Sequence, residues 1–308
     1  MDKLKKIMNN PWGIVNVIFI KGLSKNLNDK KYLELMYRGH FKRKLDLENP
    51  QTFNEKLQWL KLYDRNPQYT KMVDKYLVKE FVSSIIGEEY IIPTIGVWEN
   101  FEDIDFNLLP NQFVLKCTHD SGGIVICKDL KNFNIKLAKK KIKKSLKRNY
   151  YYFGREWPYK DVKPRIIAEK YMGNCNSTGL NPYEGINDYK LMCFNGKVKC
   201  SFVCSERFEK DGLKVTFFDR NWTIMPFERH YPKSKKIIEK PQNYELMLQL
   251  AEKLSVNIPF VRVDFYEVDG KVYFGELTFF PGSGFEEFTP ESADYELGEW
   301  LHLIKMGV

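Results

Sequence analysis

The stretch FVRVDFYEVDGKVYFGELTF, residues 260–279, reads as two strands joined at Asp269 and Gly270. Val261, Val263 and Phe265 alternate with polar residues, the period-two signature of a half-buried strand. The second strand offers Tyr273 and Leu277 to the same core. A two-residue Asp-Gly loop would send these two apolar sets to opposite faces. An odd-length loop over Val268, Asp269 and Gly270, with Gly270 left-handed in a bulge, is therefore expected. Arg262, Asp264, Glu276 and Thr278 then converge on the other face. Such a set is either a solvated sheet face held by ion pairs, or a site whose hard oxygen ligands hold Mg²⁺ as it bridges phosphate oxygens.

A second hairpin lies upstream in DYKLMCFNGKVKCSFVC, residues 188–204. Asn195 and Gly196 signal a type I′ turn, which pairs Phe194 with Lys197 and hence Lys190 with Ser201. By parity Tyr189, Leu191 and Cys193 share an apolar side with Val198, Cys200, Phe202 and Cys204. Asp188 and Lys190 point away from it together. A third element, FVLKCTHDSGGIVIC (residues 113–127), places Lys116 near the end of one apolar strand and Ser121, Gly122 and Gly123 before the next. Paired glycines let backbone N–H groups approach an anion beside a lysine, and they also serve ordinary hairpin turns. The chain has no GxxxxGK[ST] phosphate loop and no GxGxxG fingerprint.

Further out, residues 1–69 read as a helical lead-in. Thr52 and Glu55 have capping-box spacing ahead of a stripe of Phe53, Leu57 and Leu60, with Trp59 nearby. Further helices are expected from about Asp74 to Gly87 and near 135–149 and 242–254. Strands and helices mix without regular βαβ alternation, so the class is α+β. With 308 residues, 43% hydrophobic and 29% charged, the chain suits a soluble globular protein of one large domain or two. Its net charge of +9 calls for an anionic partner. The helix KLAKKKIKKSLKR, residues 136–148, could attract nucleic acid, yet Ala138, Ile142 and Leu146 make its lysines equally the wet side of an amphipathic helix. No RNP motif, helix-turn-helix or zinc finger accompanies it.

Six cysteines, at 117, 127, 175, 193, 200 and 204, form no CxxC pair, and four histidines are present. Free thiols in a reducing cytoplasm fit better than a disulfide or zinc framework. The segment MDKLKKIMNNPWGIVNVIFIKGL has an apolar run of about eight residues, too short for a membrane span and unlike a signal peptide. Trp12, Ile14, Val15, Ile18 and Phe19 fit an interfacial helix or a packed core helix.

Taken in order, six phrases resemble the ATP-grasp superfamily and its TupA-like branch, found with surface-polysaccharide biosynthesis. They are TFNEKLQWLKLYDRNP (52–67), DKYLVKEFVSSIIGEEYIIP (74–93), LPNQFVLKCTHDSGG (109–123), EWPYKDVKPRIIAEKYM (156–172), DYKLMCFNG (188–196) and ELTFFPGSGFEEFTPES (276–292). The resemblance implies two α+β subdomains whose antiparallel sheets sandwich ATP, over residues 70–308 with a hinge near 169–172, after the helical segment 1–69. That lead-in is shorter than the Rossmann-like domain many relatives place there.

Carried over by residue, the resemblance makes Lys75 and Lys116 the phosphate-contacting lysines and Ser121, Gly122 and Gly123 the loop over the phosphates. Glu169, Lys170, Tyr171 and Met172 form the adenine hinge, Asp188 lies near the ribose, and Lys190 faces phosphate or the acyl intermediate. Asp264 and Glu276 are the Mg²⁺ ligands, joined by Thr278 where the superfamily usually has Asn. Arg262 stabilises the transferring phosphoryl group. His119 is a substrate contact, a proton carrier or a structural histidine; Arg207, Ser283 and Glu286 are acceptor-site candidates.

The implied reaction is ATP- and Mg²⁺-dependent carboxylate–amine ligation through an acyl phosphate, joining an amino acid or amine to a uronic acid or other carboxylated glycan precursor. A cytoplasmic location, in reach of the inner membrane face through the N-terminal or Lys-rich helix, goes with it. A glycan kinase or glycosyltransferase of the same pathway is the first rival, and a basic scaffold or nucleic-acid binder the second.

Overall fold

The computed structural model describes residues 25–173, 187–206, 209 and 212–303. The N-terminal interfacial-helix residues, Cys175 and Arg207 lie outside the described residues. Among the described residues four helices precede the first strand: α1 (Asp29–Phe41), α2 (Phe53–Tyr63), α3 (Gln68–Val73) and α4 (Leu77–Ile86). Thr52 and Glu55 cap α2 reciprocally, as their spacing predicts, and Phe53, Leu57 and Leu60 are its buried stripe. The predicted helix at Asp74 begins three residues later, because the Asp74 carboxylate instead receives the Tyr76 and Leu77 N–H groups.

A four-stranded antiparallel sheet follows, in the order β1 (Thr94–Trp98), β4 (Ile166–Lys170), β2 (Phe113–Cys117), β3 (Ile124–Cys127). Helix α5 (Ile135–Leu146) packs on it through Ala138 and Ile142. A five-stranded antiparallel sheet is ordered β10 (Lys271–Thr278), β9 (Phe260–Val268), β5 (Asn187–Phe194), β6 (Lys197–Ser205), β7 (Lys214–Asp219). Helix α6 (Tyr244–Leu254) covers its back. A short ribbon of β8 (Glu228–Arg229) with β11 (Phe288–Thr289), then α7 (Ser292–Trp300), completes the described chain. The lead-in joins the main core directly: Phe53 of α2 meets Phe194 and Phe260 at 5.6 and 4.9 Å between ring centres.

Both hairpins of the larger sheet differ in register from the sequence reading, for one reason. The β9–β10 loop is the two-residue Asp269-Gly270 turn, both at positive φ, with Val268 opposite Lys271. The parity change comes further along, where Gly275 is an extra residue between the pairs Phe274–Phe265 and Glu276–Asp264. Phe274 therefore joins the core in place of Tyr273, while Glu276 still arrives beside Asp264. In the β5–β6 hairpin Lys199 is the extra residue, so Lys190 lies opposite Phe202 rather than Ser201. Phe202 and Cys200 thus share the Lys190 face, and Ser201 and Val203 take the other side with Tyr189 and Leu191.

Candidate functional site

One charged row crosses the larger sheet. Glu276 lies opposite Asp264, and Asp264 opposite Lys190. Arg262, two residues from Asp264 and on the same face, donates from Nε to Asp264 Oδ1 and from Nη2 to Asp264 Oδ2, both at 2.6 Å. The same Nη2 reaches Glu276 Oε1 at 2.9 Å, and Thr278 Oγ1 donates to that oxygen at 3.2 Å. Lys190 Nζ sits 2.5 Å from Asp264 Oδ2 and 2.6 Å from Asp188 Oδ2. Asp188 Oδ1 is buried without a hydrogen-bond partner, an acceptor left over for a ligand hydroxyl.

Electrostatics keep this row ionised. Burial pushes the Asp264 pKa up to about 6, but the Arg262 fork and Lys190 hold it charged at neutral pH. Partial burial also acts to raise Glu276, and Arg262, Lys75, Lys190 and the Thr278 hydroxyl outweigh it, leaving about 2. Burial acts against the Lys190 charge, and Asp188 and Asp264 raise its pKa nonetheless.

The smaller sheet faces this row with lysines. Lys116 on β2 and Lys79 on α4 both approach Glu169 on β4, each at 2.5 Å. Glu169 is buried, and although burial raises its pKa the two lysines lower it further. Lys75 Nζ donates to the Asp120 carbonyl at 2.7 Å, at the base of the Ser121-Gly122-Gly123 loop. Gly122 has φ +112° with open space around it, and a Cβ on Gly123 would stand 2.3 Å from Ser145 Oγ. His119 is buried under this loop; its Nε2 lies 3.1 Å from the Arg148 carbonyl, and burial lowers its pKa.

Between the sheets runs a cleft of about 490 Å³ lined by Lys75, Lys79, Lys116, Glu169, Gly275 and Glu276. It opens into a more apolar slot of about 550 Å³ between Ile92, Val114, Ile126, Tyr266, Tyr171 and Met172. The two share Lys116, Glu169, Ile92, Ile124 and Tyr266, so a flat apolar pocket continues into a cationic one. The hinge residues are not equivalent: the Lys170 N–H is already bonded to the Pro93 carbonyl, whereas Tyr171 and Met172 lie past the strand end.

Sequence reasoning named neither Lys79 nor the cluster under the Pro281–Gly284 turn. Lys79 is one helical turn after Lys75, which is the signal it left. In the cluster, Lys61 Nζ donates to the carbonyls of Ser283 and Gly154 at 2.7 Å each and to Gln58 Oε1 at 3.0 Å. Burial pushes the Lys61 pKa down to about 7. Ser283 Oγ donates to Glu156, so Ser283 is bound internally on both sides. Glu286, by contrast, lies 2.9 Å from Arg229 Nε.

The model of one protein family, TupA-like ATP-grasp, matches residues 55–302. The chain belongs to the TupA-like ATP-grasp family. Membership places it in the ATP-grasp ligase class, and the two facing antiparallel sheets are the expected α+β architecture. No curated protein matched the sequence. Among solved structures, D-alanine–D-alanine ligase from Helicobacter pylori is 14% identical over 82% of this chain and 70% of that one, with a TM-score of 0.43. D-alanine–D-alanine ligase from Bacillus anthracis complexed with ATP is 15% identical over 68% and 54%, TM-score 0.37. The ATP-grasp ligase PsnB complexed with minimal precursor, Mg and ADP is 9% identical over 73% and 57%, TM-score 0.39. This chain spans little more than half the length of the latter two, and such scores carry no argument beside the family match.

The donor set can be tested against the metal an ATP-grasp site implies. Glu276, Asp264 and Thr278 offer only oxygens, and the Glu276 side chain is 43% exposed. Mg²⁺ is commonly held by one or two carboxylates and completed by phosphate and water, and the residues present fit that pattern.

Proposed function

We propose that the protein is an ATP- and Mg²⁺-dependent carboxylate–amine ligase working through an acyl phosphate, over a catalytic body of residues 70–308 behind the lead-in 1–69. The observation that carries this reading is the pairing of an apolar slot and three lysines, on and beside the smaller sheet, with an oxygen-donor and arginine row on the larger. The base would lie in the slot against Tyr171 and Met172, just past the end of β4, with Asp188 Oδ1 taking a ribose hydroxyl. Lys75, Lys79 and Lys116 neutralise phosphate charge, Glu169 keeping the latter two charged and aimed. Ser121 and Gly122 would give N–H groups from above, while the Gly123 N–H donates to Asp120 Oδ1 and steadies the loop. Asp264 and Glu276, with Thr278, would hold Mg²⁺, which would screen the phosphate charge. Arg262 stands where charge builds on the transferring phosphoryl group, and Lys190 orients the carboxylate being activated.

The substrates we assign are a uronic acid or other carboxylated glycan precursor and an amino acid or amine, in surface-polysaccharide synthesis. Among the described residues no helix is long and apolar enough to cross a membrane. The exposed lysines of α5 support a site of action at the inner membrane face. Purified protein with Mg²⁺-ATP, candidate uronates and amino acids should release ADP and inorganic phosphate in equal amounts, dependent on both substrates. ADP without phosphate would mark a kinase and reject the ligase.

A further inference from the structure

The charged row of the larger sheet does not stop at Lys190. It continues through Phe202, opposite Lys190, to Phe217, opposite Phe202. These two rings are roofed by Arg229 of β8, whose guanidinium carbon lies 4.7 Å from the Phe202 ring centre and 5.5 Å from that of Phe217. The Arg262 guanidinium lies 5.7 Å from the same Phe202 ring. Two guanidinium groups therefore share one phenyl ring, one in the phosphoryl-transfer row and one beyond it.

Arg229 is 7% exposed, and its hydrogen-bonding capacity is not met. Nε lies 2.9 Å from Glu286 Oε2 but is not aligned for a hydrogen bond, and the buried Nη1 has no partner either. Burial lowers its pKa, Glu286 opposes that, and Arg262 adds to it. A buried guanidinium with open N–H groups is costly unless something fills them. Its planar fork matches a carboxylate, and the group now beside it is a carboxylate from the Pro281–Phe288 loop. The His230 N–H bonds to the Glu287 carbonyl, so β8 and that loop are held together.

We propose that Arg229 anchors the free carboxylate of an amino acid serving as the amine substrate, exchanging Glu286 for it. This deepens the ligase reading and rests on it. Arg229 covers the ring one strand beyond Lys190, a spacing of about 4.8 Å. That offset suits a second carboxylate next to the activated one, as when an α-amine points at the reacting carbonyl and its α-carboxylate points away. An amine with no carboxylate would leave the fork facing only Glu286.

The test uses the full chain with Mg²⁺ and a non-hydrolysable ATP analogue, comparing D- and L-alanine, lysine and phenylalanine with ethylamine, cadaverine and phenethylamine by calorimetry. At least one amino acid should bind ten times more tightly than its decarboxylated amine. Arg229→Gln should abolish that preference, and Glu286→Gln, which removes the internal competitor, should strengthen it. Because the comparison within the unsubstituted protein needs no variant, a folding defect in Arg229→Gln does not blunt it. Binding of the analogue with equal affinity for acid and amine, or with no amino acid bound, overturns the anchor alone. Failure of the analogue to bind overturns the ligase reading and the anchor with it.

Discussion

The two sheets hold their charge in opposite ways. On the five-stranded side Asp264, Arg262 and Lys190 are buried, Arg262 and Asp264 side by side on β9 and Lys190 opposite Asp264 on β5, and the main core stands behind them. On the four-stranded side Lys75 from the turn before α4, Lys79 from α4 and Lys116 from β2 meet at Glu169 and one backbone carbonyl, beside an exposed Ser121-Gly122 tip. That sheet packs on a core of its own, with Phe113, Leu115, Ile142 and Ile166. The contrast teaches how a nucleotide can be gripped. One wall keeps a fixed constellation, and the other carries cations whose present partners a phosphate can replace.

The contrast breaks if both walls respond alike to losing a lysine. Lys190→Met leaves Asp188 without its cation inside the fixed wall, while Arg262 still holds Asp264, and unfolding in urea should show a loss of about 3 kcal/mol. Lys116→Met should cost far less, because Lys79 still holds Glu169, but should weaken ATP binding about tenfold. Equal destabilisation by the two would erase the distinction between the walls.

The lysine pair sharpens it further. With Lys79→Met and Lys116→Met combined, Glu169 is buried without a cation, so the double variant should lose more stability than the singles summed, by about 2 kcal/mol. Additive losses would mean the lysines act independently.

A separate effect is a pH dependence in the helices behind the fixed wall. Asp294 on α7 accepts the Asn54 N–H at the start of α2, and burial pushes its pKa up to about 6. The folded state then keeps a proton that the unfolded chain has released, so this group's stabilisation is full below about pH 4 and is lost as pH rises through about 6. Asp294→Asn should flatten the stability profile across that window, by up to about 3 kcal/mol. An unchanged profile would place the titration elsewhere.

Much of this was readable before the structure. Alternation is local, so parity paired Arg262 with Asp264 and Glu276 with Thr278, and Thr52 and Glu55 gave the α2 cap; that the two pairs share a face was reached through an odd-length loop, where the extra residue is in fact Gly275. The register was not, because one inserted residue, Gly275 or Lys199, reverses parity and the composition does not mark where it falls. Lys79 was missed because its role depends on Glu169 from another element. Arg229 sits on a two-residue strand, too short to leave a pattern, and its platform of Phe202 exists only through the Lys199 bulge.

The central claim is that one nucleotide is held by both walls at once. Calorimetric titration of ATP with Mg²⁺ into the unsubstituted protein, Lys116→Met and Glu276→Gln tests it with one change on each sheet. Both variants should lose at least tenfold in affinity, with Glu276→Gln also losing its dependence on Mg²⁺. Full Mg²⁺-dependent binding by both variants would contradict it.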